Sequence, residues 1–134
     1  MKEKILIVDD EICWLSSHNE IINLAFPDIF EIQVASSAES ALELINDFNA
    51  ELLITDLQME DIKGESFAGE FLIKNIKKKL PDIKIIIISG APDLAKIAKR
   101  NKVDKHIPKW ALNRYPLMLK MSISEIFKIN SEIC

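Results

Sequence analysis

The sequence predicts an α/β fold: an open five-stranded parallel sheet of strand order 2-1-3-4-5 with helices on both faces. Three observations carry this. Short unbroken aliphatic runs recur at Ile5–Val8, Leu52–Ile54 and Ile85–Ile88, and runs without polar alternation are strands buried on both faces, as in a parallel sheet covered by helices. Segments with helical spacing separate the runs, so the chain repeats strand then helix five times. Right-handed crossovers then close an open sheet, because an eight-fold barrel needs far more than 134 residues.

Taken in order, the first strand is predicted at 4–9 and the first helix at 11–25, stopped by Pro27. A strand at 30–35 leads to a helix at 38–48 that opens on Ser37, followed by Ser40 and Glu43, with Leu42 and Ile45 on its apolar side. The third strand is predicted at 51–55 and its helix at 66–79, ended near Pro81. The fourth strand covers 84–88, and Pro92 precedes a helix at 93–101. The fifth strand covers 104–107. Pro108 beside it lacks an N–H for a central ladder and suits the sheet edge, where the order 2-1-3-4-5 puts this strand. The last helix, predicted at 112–129, carries Leu117, Met118, Leu119, Met121, Ile123, Ile126, Phe127 and Ile129. Those residues spread over more than the roughly 100° stripe that one-sided packing requires, which predicts a protein interface such as a homodimer through the fourth and fifth helices; a monomer whose tail folds back would leave the same sequence trace.

Composition fits one domain over residues 1–134, with no low-complexity linker or internal repeat. The aliphatic runs are far too short for a membrane span and the amino terminus enters a strand directly, which predicts a cytoplasmic protein with no membrane partner. Cys13 and Cys134 have no metal-site or disulfide spacing and are expected to be free thiols. The net charge of −4 conceals an asymmetry: residues 1–67 hold 3 basic and 15 acidic side chains, residues 68–134 hold 14 basic and 6 acidic. Two solvated faces of opposite sign account for this, with a docking surface for an acidic protein as the sharper alternative. Nucleic acid is disfavoured, because Lys74 to Lys79 and Lys96 to Lys105 lack interleaved aromatics.

Side chains just past the carboxyl ends of the strands gather in one crevice at the switch point between the first and third strands. There the sequence places Asp9, Asp10, Asp56, Ser89 and Lys109. Carboxylates packed together repel, so pKa values rise or a divalent cation compensates. Oxygen donors suit Mg2+, with Mn2+ as a substitute; Asp10 and Asp56 would be ligands, with the Gln58 carbonyl in reach. Asp56, at the centre of the crevice, is the candidate nucleophile for an acyl phosphate. Lys109 and the metal would spread the charge of the transferring phosphoryl group and the Ser89 hydroxyl would hydrogen-bond one of its oxygens.

These residues, in this order and strand context, resemble the receiver domain of two-component response regulators over essentially the whole chain. The resemblance rests on Asp9-Asp10-Glu11 after the first strand, Asp56 with Met59 and Gly64 following, Ser89-Gly90-Ala91 after the fourth, and Lys109 after the fifth. It implies that Asp56 accepts a phosphoryl group from a histidine kinase or histidine phosphotransfer protein, that Asp9 and Asp10 hold magnesium, and that Ser89 and Lys109 contact the phosphoryl group. It also implies a signalling switch rather than an enzyme, one that docks a downstream protein. Gln58 and Ala91 stand where relatives tune autodephosphorylation, and His106 where relatives carry a switching aromatic. Against that role, a lone His on an edge strand is more commonly a solvated surface residue.

Three departures stand out. Glu60 and Trp110 replace the prolines that usually follow the loop Met and the site Lys, so the Lys109–Trp110 bond is expected to be trans. The Asp56 to Ser89 segment is a few residues longer than usual, around Glu65 to Gly69. Trp14 is expected to be core more than contact. No output domain is expected within residues 1–134, so the chain is expected to signal by docking on a partner, to relay phosphate to a histidine phosphotransfer protein, or to be a piece of a longer chain. No glycine-rich turn follows the first strand, as a nucleotide binder would need, and Gln58 stands where an aspartyl-phosphate hydrolase would carry its second acid. The rival that remains is a receiver-like interaction module that works without phosphorylation.

Overall fold

The computed structural model describes residues 2–59 and 68–129. Its elements are β1 (Glu3–Val8), α1 (Ile12–Ala25), β2 (Phe30–Ala35), α2 (Ala38–Leu44), β3 (Leu52–Thr55), α3 (Ala68–Lys79), β4 (Lys84–Ser89), α4 (Leu94–Arg100), β5 (Lys105–Pro108), α5 (Lys109–Arg114) and α6 (Leu117–Phe127). The five strands form one parallel sheet in the order β2-β1-β3-β4-β5, as the sequence predicts.

Alternate strand residues feed two cores. Leu6, Val8, Leu53, Ile85 and Ile87 face α2, α3 and α4 on one side. Ile5, Ile7, Leu52, Ile54, Ile86 and Ile88 face α1, α5 and α6 on the other. Both faces of the central strands are therefore dry, which is why they need no polar alternation. Ser37 caps α2 as expected, its side chain accepting from the Ser40 N–H at 3.0 Å. Pro108 lies on the edge strand β5, and the Lys109–Trp110 bond is trans.

The last predicted helix needs correcting. Instead of one helix over 112–129 there are two, α5 starting at Lys109 and α6 after Pro116. A residue before proline is pushed out of the helical region, and Tyr115 accordingly has φ −130° and ψ 77°. The second predicted helix also ends early, at Leu44 rather than 48. Leu119 and Ile123 turn into the core, whereas Leu117 and Met121, with Trp110 and Tyr115 from α5 and its exit, stay exposed.

Several basic side chains of the second half are engaged within the molecule. Arg100 pairs with Glu70 through two contacts of 2.7 and 2.9 Å, Lys105 pairs with Glu125, and Lys77 donates to the carbonyls of Asn101 and Lys102. Cys13 is a free, exposed thiol. Cys134, Glu60, Gly64 and most of the longer loop lie outside the described residues. Among the described residues no helix is long and apolar enough to cross a membrane.

Candidate functional site

Parallel register assembles the site. Val8 pairs with Thr55 and Ser89 with Pro108, so the next residues, Asp9 with Asp56 and Gly90 with Lys109, emerge side by side. The Asp56 N–H continues the ladder to the Val8 carbonyl at 3.1 Å, and the Asp9 N–H reaches the Ala35 carbonyl at 3.2 Å. Asp9 and Asp56 are buried at 1% and 4% exposure, and Asp10 is exposed beside them.

Lys109 begins α5 and sends its ammonium back between the acids. Its Nζ lies 2.9 Å from Asp56 Oδ2, to which it donates, and 3.1 Å from Asp9 Oδ2. Asp56 Oδ1 accepts from the Leu57 N–H at 2.7 Å and the Gln58 N–H at 3.3 Å, and Asp9 Oδ1 accepts from the Glu11 N–H at 2.9 Å. Burial pushes the Asp9 carboxyl up, against the opposing pull of the Glu11 N–H and of Lys109. Burial alone would lower the Lys109 pKa, but the hydrogen bond and charge of Asp56, with those of Asp9, outweigh it and hold the ammonium above its usual range.

The donor set fits a hard divalent cation. Oxygens of Asp9, Asp10 and Asp56 lie within 4.8 Å of one another. Asp9 Oδ2, fully buried, makes no hydrogen bond despite its proximity to Lys109. A buried carboxylate oxygen without a hydrogen bond beside two further carboxylates is chemistry that Mg2+ satisfies. Gln58 is exposed on the loop after Asp56.

Ser89 is fully buried, its Oγ accepting from the Ala91 N–H at 3.2 Å. A cleft of about 320 Å³ runs from Ser89 past Leu94 to His106 and Trp110. His106 is exposed along it.

Two contacts escape sequence reasoning. Gly69, in the first turn of α3, lies against the Asp56–Leu57 backbone and donates its N–H to the Leu57 carbonyl at 3.1 Å. The signal for it was a glycine inside a helical pattern, which often marks close backbone approach. Trp14, half-buried on α1, puts its ring 5.0 Å from the Lys109 ammonium and 5.6 Å from the His18 ring.

His18 is 1% exposed and its Nδ1 has no hydrogen-bond partner. Burial, then the nearby Lys109 charge, pull its pKa down to about 4 against the opposing effect of Asp56. The unfolded chain therefore takes the proton first. The contribution is fully present above about pH 6.5 and is lost as the pH falls toward 4. The expected loss is about 3 kcal/mol across that window, and His18→Leu should remove this part of the slope in urea titrations run from neutral to acidic pH.

Residues 5–113 match the family model of the response regulator receiver domain. The chain is 36% identical over 90 residues to a protein-glutamate methylesterase/protein-glutamine glutaminase from Dechloromonas aromatica (strain RCB), a match covering 67% of this chain and 24% of that relative. Thus the chain spans about a quarter of that protein's length.

Among solved structures, the receiver domain of AraT from Geobacillus stearothermophilus is similar at 28% identity and a TM-score of 0.78, covering 96% of this chain and 95% of that one. The isolated receiver domain of RcsB from Salmonella enterica serovar Typhimurium, solved with the phosphomimetic BeF3-, shares the fold at 19% identity and a TM-score of 0.79, covering 97% and 91%. A CheY-like receiver protein from Methanospirillum hungatei JF-1 does so at 23% identity and a TM-score of 0.69, covering 93% and 99%.

Proposed function

The chain belongs to the response regulator receiver domain family, and on that premise we propose that it is a phosphorylation-dependent signalling switch in which Asp56 is the phospho-acceptor. The observation that carries the proposal is the Lys109 ammonium held between Asp9 and Asp56, with Asp10 completing the acidic cluster. An Asp56 carboxylate oxygen attacks the phosphorus of a phosphohistidine on a kinase or phosphotransfer protein. The O–P bond forms as the N–P bond breaks, and the leaving imidazole keeps the electron pair and takes a proton from solvent.

Asp9, Asp10 and Asp56, with the Gln58 carbonyl, would hold Mg2+, which when bound would neutralise charge on the phosphoryl oxygens. Lys109 sits where it can exchange its contact with Asp56 Oδ2 for one with a phosphoryl oxygen. Ser89 can turn its hydroxyl from the Ala91 N–H to another. The donor then departs, leaving a changed charge in a pocket joined to the His106 cleft.

That cleft leads to the output surface. His106 would turn inward as Ser89 moves, altering the face that carries Trp110, Tyr115, Leu117 and Met121, all exposed apolar residues suited to a protein partner or a second copy. Exposed Gln58, two residues after the acceptor, and Ala91, two residues after Ser89, are the positions that would tune the phosphoryl lifetime. The receiver domain acts as a switch whose own chemistry is self-catalysed phosphorylation and autodephosphorylation at Asp56.

Incubation with a radiolabelled small phosphodonor such as acetyl phosphate tests this. One label per chain is expected, requiring magnesium, abolished by a chelator and released by hydroxylamine as an acyl phosphate is. A label indifferent to chelator and hydroxylamine would overturn it.

A further inference from the structure

Lys109 has a third neighbour besides the two carboxylates. Its ammonium, on a side chain only 14% exposed, lies 5.0 Å from the centroid of the Trp14 ring. A poorly hydrated ammonium gains most from an aromatic face, and indole has the strongest such face among the side chains. Trp14 is itself backed. His18 lies four residues further along α1, on the same face, with ring centroids 5.6 Å apart and planes tilted by 39°. His18 is 1% exposed and Trp14 itself packs against the second core, so the indole is backed from behind by buried side chains. A neutral imidazole behind the indole also leaves the ring's electrostatic attraction to Lys109 uncontested by a second cation.

We propose that Trp14 is a positioning residue for Lys109: its indole holds the ammonium between Asp9 and Asp56. This inference rests on the acceptor-site reading for its purpose, but its physical content concerns Lys109 alone. Held there, the ammonium competes with a divalent cation for the carboxylate oxygens and stands ready beside the acceptor. Once Trp14 is removed, water takes the place of the ring, the ammonium is less firmly placed, and the cation binds with less competition.

The test uses the whole chain and two readouts that do not require phosphorylation. In NMR spectra the Lys109 ε-methylene protons should be shifted upfield by the indole ring current, an effect lost in Trp14→Leu and partly kept in Trp14→Phe. Calorimetric titration with Mg2+ alone should show tighter binding in Trp14→Leu, by up to about tenfold. The same substitution in a Lys109→Met background should leave the affinity unchanged. An unaltered Lys109 signal in Trp14→Leu would overturn the proposal, as would an equal affinity change in both backgrounds, which would mark Trp14 as a general packing residue. Should Trp14→Leu fail to fold, Trp14→Phe, which keeps a ring with a weaker face, gives the same comparison at smaller amplitude. A protein that passes both tests yet takes no phosphoryl label keeps the Trp14 role and loses the acceptor role, so the two failures are separable.

Discussion

Lys109→Met is expected to destabilise the magnesium-free protein by about 3 to 5 kcal/mol near neutral pH, because it strands two buried carboxylates that now share one ammonium. The deficit has a definite pH dependence. Asp9 already has a pKa raised by burial, and losing the lysine raises it further. A carboxyl that is easier to protonate when folded contributes most at low pH and loses that contribution as the pH rises through its folded pKa. The variant should therefore approach wild-type stability toward about pH 4 and fall behind above it. Magnesium should offset a large part of the loss in the variant, since a cation at 100 times its Kd contributes about 2.7 kcal/mol to the folded state. Urea denaturation of both proteins, with and without magnesium and at several pH values, measures all three effects. Equal stability without metal at neutral pH would mean that water already compensates the acids.

Gly69→Ala should be nearly as damaging for a different reason. A Cβ built on Gly69 would stand 2.0 Å from the Asp56 carbonyl oxygen, 2.7 Å from Leu57 Cα and 2.9 Å from the Asp56 carbonyl carbon. All three are backbone atoms just after β3, so no side chain can swing aside. The expected cost is about 3 kcal/mol or more. The displaced segment includes the Leu57 N–H that donates to Asp56 Oδ1, so acceptor chemistry should fall even below the melting temperature. Gly90→Ala is the matched control: its Cβ would meet nothing within 4 Å, and a change within about 0.5 kcal/mol is expected. Thermal melts and labelling rates of the two variants, compared side by side, provide the check.

The sheet was legible because strands dry on both faces leave unbroken aliphatic runs, and because the parallel register then determines which strand ends meet. Asp9, Asp56, Ser89 and Lys109 are all one-step consequences of that register, and Asp10 follows Asp9. What the sequence hid depends on rotations and loop lengths. Whether Trp14 meets Lys109 turns on how α1 is rolled against the sheet, which helical periodicity does not determine to within one side chain. Gly69 could not be distinguished from Gly64 as the packing glycine while the length of the intervening loop was unassigned. The break at Pro116 was readable from proline chemistry, but the apolar residues on both sides of it concealed the break. His18 is a polar letter on the buried stripe of α1, and only burial reveals that it is neutral.

The most direct measurement of the central claim is intact-mass spectrometry of the wild-type chain and Asp56→Asn after incubation with acetyl phosphate and magnesium. A single phosphoryl adduct on the wild type and none on Asp56→Asn is the expected result. Equal labelling of both, or no labelling of the wild type under conditions that label another receiver domain, would contradict it, and the latter would leave a receiver-like module that binds its partners without phosphorylation.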